Sequence, residues 1–242
     1  MRNLRLSEII ATGLVVGSLS GCGPRAHIPA RPLLQAIPGA LSVDDPTWYL
    51  ARALAPVLFL QRDEWFPLER VVAVVHPQRR VIAYHLLWRD DVHGSWIPFT
   101  VPTDEEIVWV GYDSTNAPTD LWSFWHGSIL HSAWRDRGGV AINVQWGKHG
   151  SFARGAIESD LPGVKKLNDF FVIHYLGIWD MWLGRLTRPG PGCFCHSYKR
   201  YREFTRPLAV ADRIDVVTRT ADARDVLAAV FGRPYSRKRP WP

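Results

Sequence analysis

Apolar positions in this chain recur at intervals of two more often than at three and four. Val140, Ile142, Val144 and Trp146 alternate with Ala141, Asn143 and Gln145, the pattern of a strand with one buried face. Val71 to His76 and Val81 to Trp88 are short apolar runs joined by Pro77-Gln78-Arg79-Arg80, which predicts a hairpin. Ile107 to Tyr112 is apolar at odd and even positions alike, so it reads as a central strand buried on both faces. Leu54 to Leu60 is a further extended run, ended by Arg62-Asp63-Glu64-Trp65-Phe66-Pro67. Leu121 to His131 alternates loosely and is read as strand, and Leu208 to Val217 holds one more. Turns fall at Asp90 to Gly94, Asp113 to Pro118 and Gly138-Gly139.

Three stretches follow a helical period instead. Pro46 to Leu54 is a short helix, capped by Asp44 or Asp45 with Pro46 in its first turn. Ala221 to Phe231 is amphipathic, with Val226, Leu227, Val230 and Phe231 on one side. Val164 to Leu186 carries a helix interrupted near Gly177. Many short strands with polar turns, then helices, predict a mainly β fold: a β-sandwich with C-terminal helical additions.

The first residues are a processing signal rather than structure. Arg2 and Arg5 precede the apolar run Ile9 to Val16, which is too short to span a bilayer as a finished helix. Leu19-Ser20-Gly21-Cys22 matches the bacterial lipobox, which implies cleavage before Cys22 and lipid attachment to its sulfur. The expected organisation is a signal peptide over 1–21, a proline-rich lipidated tether over 22–45, and a single domain over 46–242. That places the protein in the bacterial cell envelope, lipid-anchored, facing the periplasm or the surface.

Composition narrows the partners. The formal charge is +6, with basic residues gathered at Lys199, Arg200, Arg202 and Arg206 and in the tail at Arg233, Arg237, Lys238 and Arg239. A basic exterior favours an anionic lipid or glycan. No nucleic acid is expected, since export and the lack of a nucleic-acid-binding motif both argue against it. The twelve tryptophans among 242 residues serve chiefly as packing groups, some of them as a platform for glycan or lipid. With Cys22 lipidated, Cys193 and Cys195 remain, separated by Phe194. They form a disulfide, join His196 in a metal site, or stay reduced.

Candidate chemistry collects at the mouth of the central strand. Asp104 and Glu106 are two apart and point to one side of an extended chain, while Glu105 points to the other. Two carboxylates on one side need a cation, a histidine, a basic partner or open water. His149 lies in the glycine-flanked loop Trp146-Gly147-Lys148-His149-Gly150-Ser151, where the backbone can turn sharply. His126 and His131 make a possible additional site, but their opposite parity in one strand keeps them apart unless a bulge intervenes. Asp104 and Glu106 suit a divalent cation such as Ca²⁺ or Mg²⁺, and a histidine ligand shifts the choice towards Zn²⁺ or Mn²⁺.

Three segments carry a resemblance. Ala55 to Leu60, then Asp104-Glu105-Glu106-Ile107-Val108-Trp109-Val110, then Trp146 to Ser151 occur in an order similar to the necrosis-inducing protein (NPP1-like) and Vps62-like families. The resemblance implies a β-sandwich with an acidic divalent-cation site at one end, formed by Asp104, Glu106 and His149. Family members of the toxin type bind sphingolipid headgroups. The sequence departs from the family pattern where Val101-Pro102-Thr103 replaces a histidine-rich approach, and where Glu105 replaces a tryptophan.

These readings converge on an envelope lipoprotein whose acidic and histidine-containing cleft binds a divalent cation and an anionic or sugar-bearing ligand. Two alternatives stand beside it: an envelope hydrolase of glycan or lipid ester, and a non-catalytic lipoprotein that docks a partner.

Overall fold

A computed structural model describes residues 34–62, 64, 66–89, 104–136, 138–156, 161–162, 204–232 and 238–242. Among these residues ten strands form two sheets: β1 (Val57–Gln61), β2 (Leu68–Val75), β3 (Val81–Trp88), β4 (Asp104–Tyr112), β5 (Pro118–Trp125), β6 (Ser128–Ala133), β7 (Ala141–Val144), β8 (Ser151–Ala153), β9 (Phe204–Ala209) and β10 (Ile214–Arg219). Among the described residues two α-helices flank them, α1 (Pro46–Ala53) and α2 (Arg224–Phe231). The larger sheet has the order β10-β2-β3-β4-β5-β6, and the smaller β8-β7-β1-β9.

The period-two pattern has a simple physical origin. Val71, Ala73 and Val75 of β2, Tyr84 and Leu86 of β3, and Val108 and Val110 of β4 face Leu58, Leu60, Ile142 and Val144 of the smaller sheet. The Ser123 hydroxyl of β5 donates across this layer to the Ser151 carbonyl of β8 at 2.7 Å. The opposite residues of the same strands, Val72, Val74, Ala83, Ile107 and Trp109, pack beneath Val226, Leu227, Val230 and Phe231 of α2. The larger sheet is therefore covered on both faces. That is why β3 is buried at all eight positions and β4 is apolar at odd and even positions. The expected β-sandwich with a C-terminal helix is what the chain forms.

Helix α1 is capped as expected. The Asp45 carboxylate accepts from Thr47 N at 2.7 Å, and Pro46 stands at the first turn. The helix buries Trp48 and Ala51, and the Ala51 carbonyl accepts from the Tyr84 hydroxyl at 2.8 Å.

Other elements differ in detail. Leu121 to His131 is two strands, because His126 and Gly127 both take positive φ and turn the chain back on itself. The stretch Leu208 to Val217 is likewise divided, with a 3₁₀ turn over Val210–Asp212 between β9 and β10. Residues from Leu34 onward, expected to belong to the tether, pack against the domain. Ile37 is buried and Ala40 bridges Thr218 of β10. The signal peptide, Cys22, the turn at Asp90 to Gly94, the helix expected over Val164 to Leu186, Cys193 and Cys195 lie outside the described residues. Among the described residues no helix is long and apolar enough to cross a membrane.

Candidate functional site: a charged cluster at the mouth of β4

Three connections meet where β4 begins. The β3–β4 ladder pairs Trp88 with Asp104, Leu87 with Glu105 and Leu86 with Glu106. Trp88, Asp104 and Glu106 therefore share the face turned towards the smaller sheet. The β7–β8 loop brings in His149. It is held by His149 N donating to Gln145 O at 3.0 Å and Gln145 N donating to Gly150 O at 2.9 Å. This tight path needs positive φ at Gly147 (65°) and at His149 itself (54°). A histidine in the left-handed region costs on the order of 1 kcal/mol, so its surroundings must hold it there. The third connection is the β1–β2 loop, which supplies Glu64.

Glu64 fastens the two loops together. Its Oε2 accepts from Gly147 N at 2.8 Å, and its Oε1 accepts from Phe66 N at 3.0 Å. His149 lies between two acids. Its Nδ1–H donates to Asp104 Oδ2 at 3.0 Å, and its Nε2 is 3.4 Å from Glu64 Oε1. The imidazole stacks on the Trp88 indole at 4.1 Å with planes 3° apart, and Phe66 meets it edge-on at 5.9 Å. No part of the His149 side chain reaches solvent. Burial alone pushes its pKa down, but the Glu64 and Asp104 carboxylates overcome this and raise it to about 9. It is an enclosed imidazolium at neutral pH.

Glu106 has a different counter-ion. The Lys238 ammonium sits 2.6 Å from Glu106 Oε1 and donates to the Glu105 carbonyl. It also lies 4.7 Å from the centre of the Phe124 ring. Burial raises the Glu106 carboxyl to about 8 against the opposing pull of Lys238. Burial works against the Lys238 charge too, yet Glu106 and Asp104 hold its pKa above the ordinary lysine value. Glu105, on the other face of β4, accepts from the buried His85 Nδ1 at 2.7 Å.

The structure thus gathers Asp104, Glu106 and His149, the three residues singled out from sequence. It places the other histidines apart from one another. His126, at the β5–β6 turn, directs Nε2–H to Gln145 Oε1 at 2.5 Å, and burial pushes its pKa down. It borders the β7–β8 loop, since a Cβ added at Gly150 would meet its Nε2 at 3.3 Å. His131 is on β6, paired to Asp120 at 2.8 Å and stacked on Trp122. Two members of the cluster were missed. Glu64 follows an apolar run in a loop without periodicity, and Lys238 belongs to a tail that reads as basic exterior. Neither position carries a local signal.

The divalent cation implied by the family resemblance does not fit these residues as they stand. Both ring nitrogens of His149 already face carboxylates, Nδ1 at 3.0 Å from Asp104 Oδ2 and Nε2 at 3.4 Å from Glu64 Oε1. One Glu106 oxygen and the Glu105 carbonyl already serve an ammonium. Among the described residues no group of three or more His, Cys, Asp or Glu is arranged to hold a metal ion.

No family model matches the chain, and no curated protein matches it. Solved structures do show likeness at a distance. "NLPPya in complex with glucosamine" is 15% identical, with 51% of this chain and 75% of that chain covered and a TM-score of 0.35. The necrosis and ethylene inducing protein 2 from the causal agent of cocoa's witches' broom disease is 12% identical, with 62% and 93% covered and a TM-score of 0.36. Non-toxic HaNLP3 is 12% identical, with 48% and 69% covered and a TM-score of 0.31. Likeness at this level carries no argument about ligand or activity.

Proposed function

We propose that this chain is an envelope-anchored binding protein and that the mouth of β4 is its ligand site. The observation that supports this reading is the unequal exposure of the cluster. In the Glu64–His149–Asp104 series, His149 is enclosed and Glu64 is 1% exposed, whereas Asp104 reaches the surface at 16%. An enclosed histidine cannot exchange a proton with a substrate, which argues against the hydrolase reading. It can hold a carboxylate in one orientation. A carboxylate fixed in this way is a good acceptor for the hydroxyl or ammonium groups of a sugar-bearing ligand. The lipid expected on Cys22 would hold the site at a membrane surface, near glycans and headgroups.

The test is calorimetric titration of the mature chain, in native form and as Asp104→Ala, with amino sugars, envelope glycans and anionic phospholipid vesicles. Glucosamine is the first probe, since its ammonium and hydroxyl groups are the donors a fixed Asp104 carboxylate would accept from. Binding weakened tenfold or more by Asp104→Ala supports the proposal. Binding equal in both forms, or to none of the probes, removes it.

A further inference from the structure

The C-terminal tail holds the most informative contact outside the sandwich. Its last residues run along the helix-covered face of the larger sheet. The Pro240 carbonyl accepts from Trp109 Nε1 at 2.9 Å, and Trp241 Nε1 donates to Ala221 O at 2.9 Å. The His76 ring meets Trp241 at 4.7 Å. From this anchored strap Lys238 reaches the edge of β4. The β4–β5 ladder begins at Val108↔Ser123, so at Glu105 and Glu106 this edge of β4 lies outside that ladder. The Lys238 ammonium takes up the Glu105 carbonyl and the Glu106 carboxylate, although it lies 133 positions from Glu105. Only 15% of its side chain is exposed.

We infer that Lys238 is the resident cation of this acidic end and decides what the end accepts. The inference rests on reading the mouth of β4 as a binding site. Glu106 is buried and shares its strand face with Asp104. Without a positive charge beside it, a buried acid in that place would keep its proton, so Lys238 is what favours its carboxylate form. The groups facing it from every packed element are Asp104 on its own strand, His149 from the β7–β8 loop and Lys238 from the tail. Lys238 is the one in hydrogen-bond contact. A second oxygen, Glu106 Oε2, has no hydrogen-bond partner among the described residues. Together with Asp104, these hard oxygens are the donors a Ca²⁺ or Mg²⁺ ion takes. The ammonium excludes such an ion by filling its place, and it leaves organic ligands to approach Asp104.

The experiment is titration of the full mature chain with Ca²⁺ and Mg²⁺ alone, in native form, as Lys238→Met and as Lys238→Arg. The methionine keeps a linear stem over Phe124 and removes the charge. Lys238→Met is expected to bind Ca²⁺ with Kd on the order of 10⁻⁴ to 10⁻³ M, the range of extracellular calcium modules. The native chain and Lys238→Arg should bind at least about tenfold more weakly. If Lys238→Met does not fold in metal-free buffer, refolding on added Ca²⁺ or Mg²⁺ supports the inference, and no rescue overturns it. Equal affinity in all three forms overturns it as well. Neither result touches the Asp104-dependent ligand binding tested above, so the two readings fail separately.

Discussion

At the scale of residues, the cluster at β4 balances charge inside a protein core. Glu64, Asp104 and Glu106 face His149 and Lys238, and the protonation of two of these groups ties stability to pH. His149 has an ordinary value near 6.5 and a folded value of about 9. Its contribution is fully present below 6.5 and is lost as pH rises through 9. Glu106 moves from 4.5 to about 8, so the folded state also prefers its proton, and rising pH again works against the fold. Both effects have the same sign. Thermal melting from about pH 6 to about pH 9.5 should show the midpoint falling, by an amount corresponding to roughly 3 kcal/mol for His149 alone. Glu64→Gln removes the carboxylate that does most to raise His149. Its melting profile should be lower at pH 6 and flatter above pH 7. A native profile that is flat or rises over this window would mean that His149 is neutral in the fold.

At the scale of elements, β4 shows what pattern alone can and cannot reveal. Its two apolar faces mark it as central, and the two faces belong to two different cores. Asp104 and Glu106 were legible as same-side acids because strand parity is a local property. His149 was legible because glycines surround it. Glu64 and Lys238 were not, since loop closure and tail docking bring them in from distant sequence. The break at His126 was hidden for another reason: the turn sets a left-handed histidine before a single glycine, Gly127, inside a run that stays aromatic and apolar on both sides. Packing limits β4 at Gly111, which pairs with Asp120 of β5. A Cβ there would lie 3.0 Å from Asp120 Cβ and 3.1 Å from Trp122 Cζ3. Gly111→Ala should therefore destabilise the protein by about 1–3 kcal/mol, read from urea unfolding midpoints. A loss well under 1 kcal/mol would show that the Trp122 indole swings aside, an outcome its half-buried place at the edge of the second core permits.

At the scale of the whole molecule, the three layers set which parts are free to meet a partner. The smaller sheet covers one face of the larger sheet, and α2 with the C-terminal strap covers the other. Among the described residues neither layer extends over the ends of the strands, and the mouth of β4, the proposed ligand site, is at one of them. The N-terminal segment joins this body through Ile37 and the Ala40–Thr218 bridge at β10. β10 is an edge of the larger sheet, and β4 is separated from it by β2 and β3. A lipid on Cys22 would thus pull on the sheet's far edge rather than on the site. The consequence can be tested in cells. Cys22→Ser should move the protein from the membrane fraction to the soluble fraction and leave Asp104-dependent ligand binding of the released protein unchanged. Membrane association that survives Cys22→Ser would assign attachment to the folded domain, with the basic surface as the contact. Ligand binding lost along with the anchor would mean that the site needs the membrane surface to assemble.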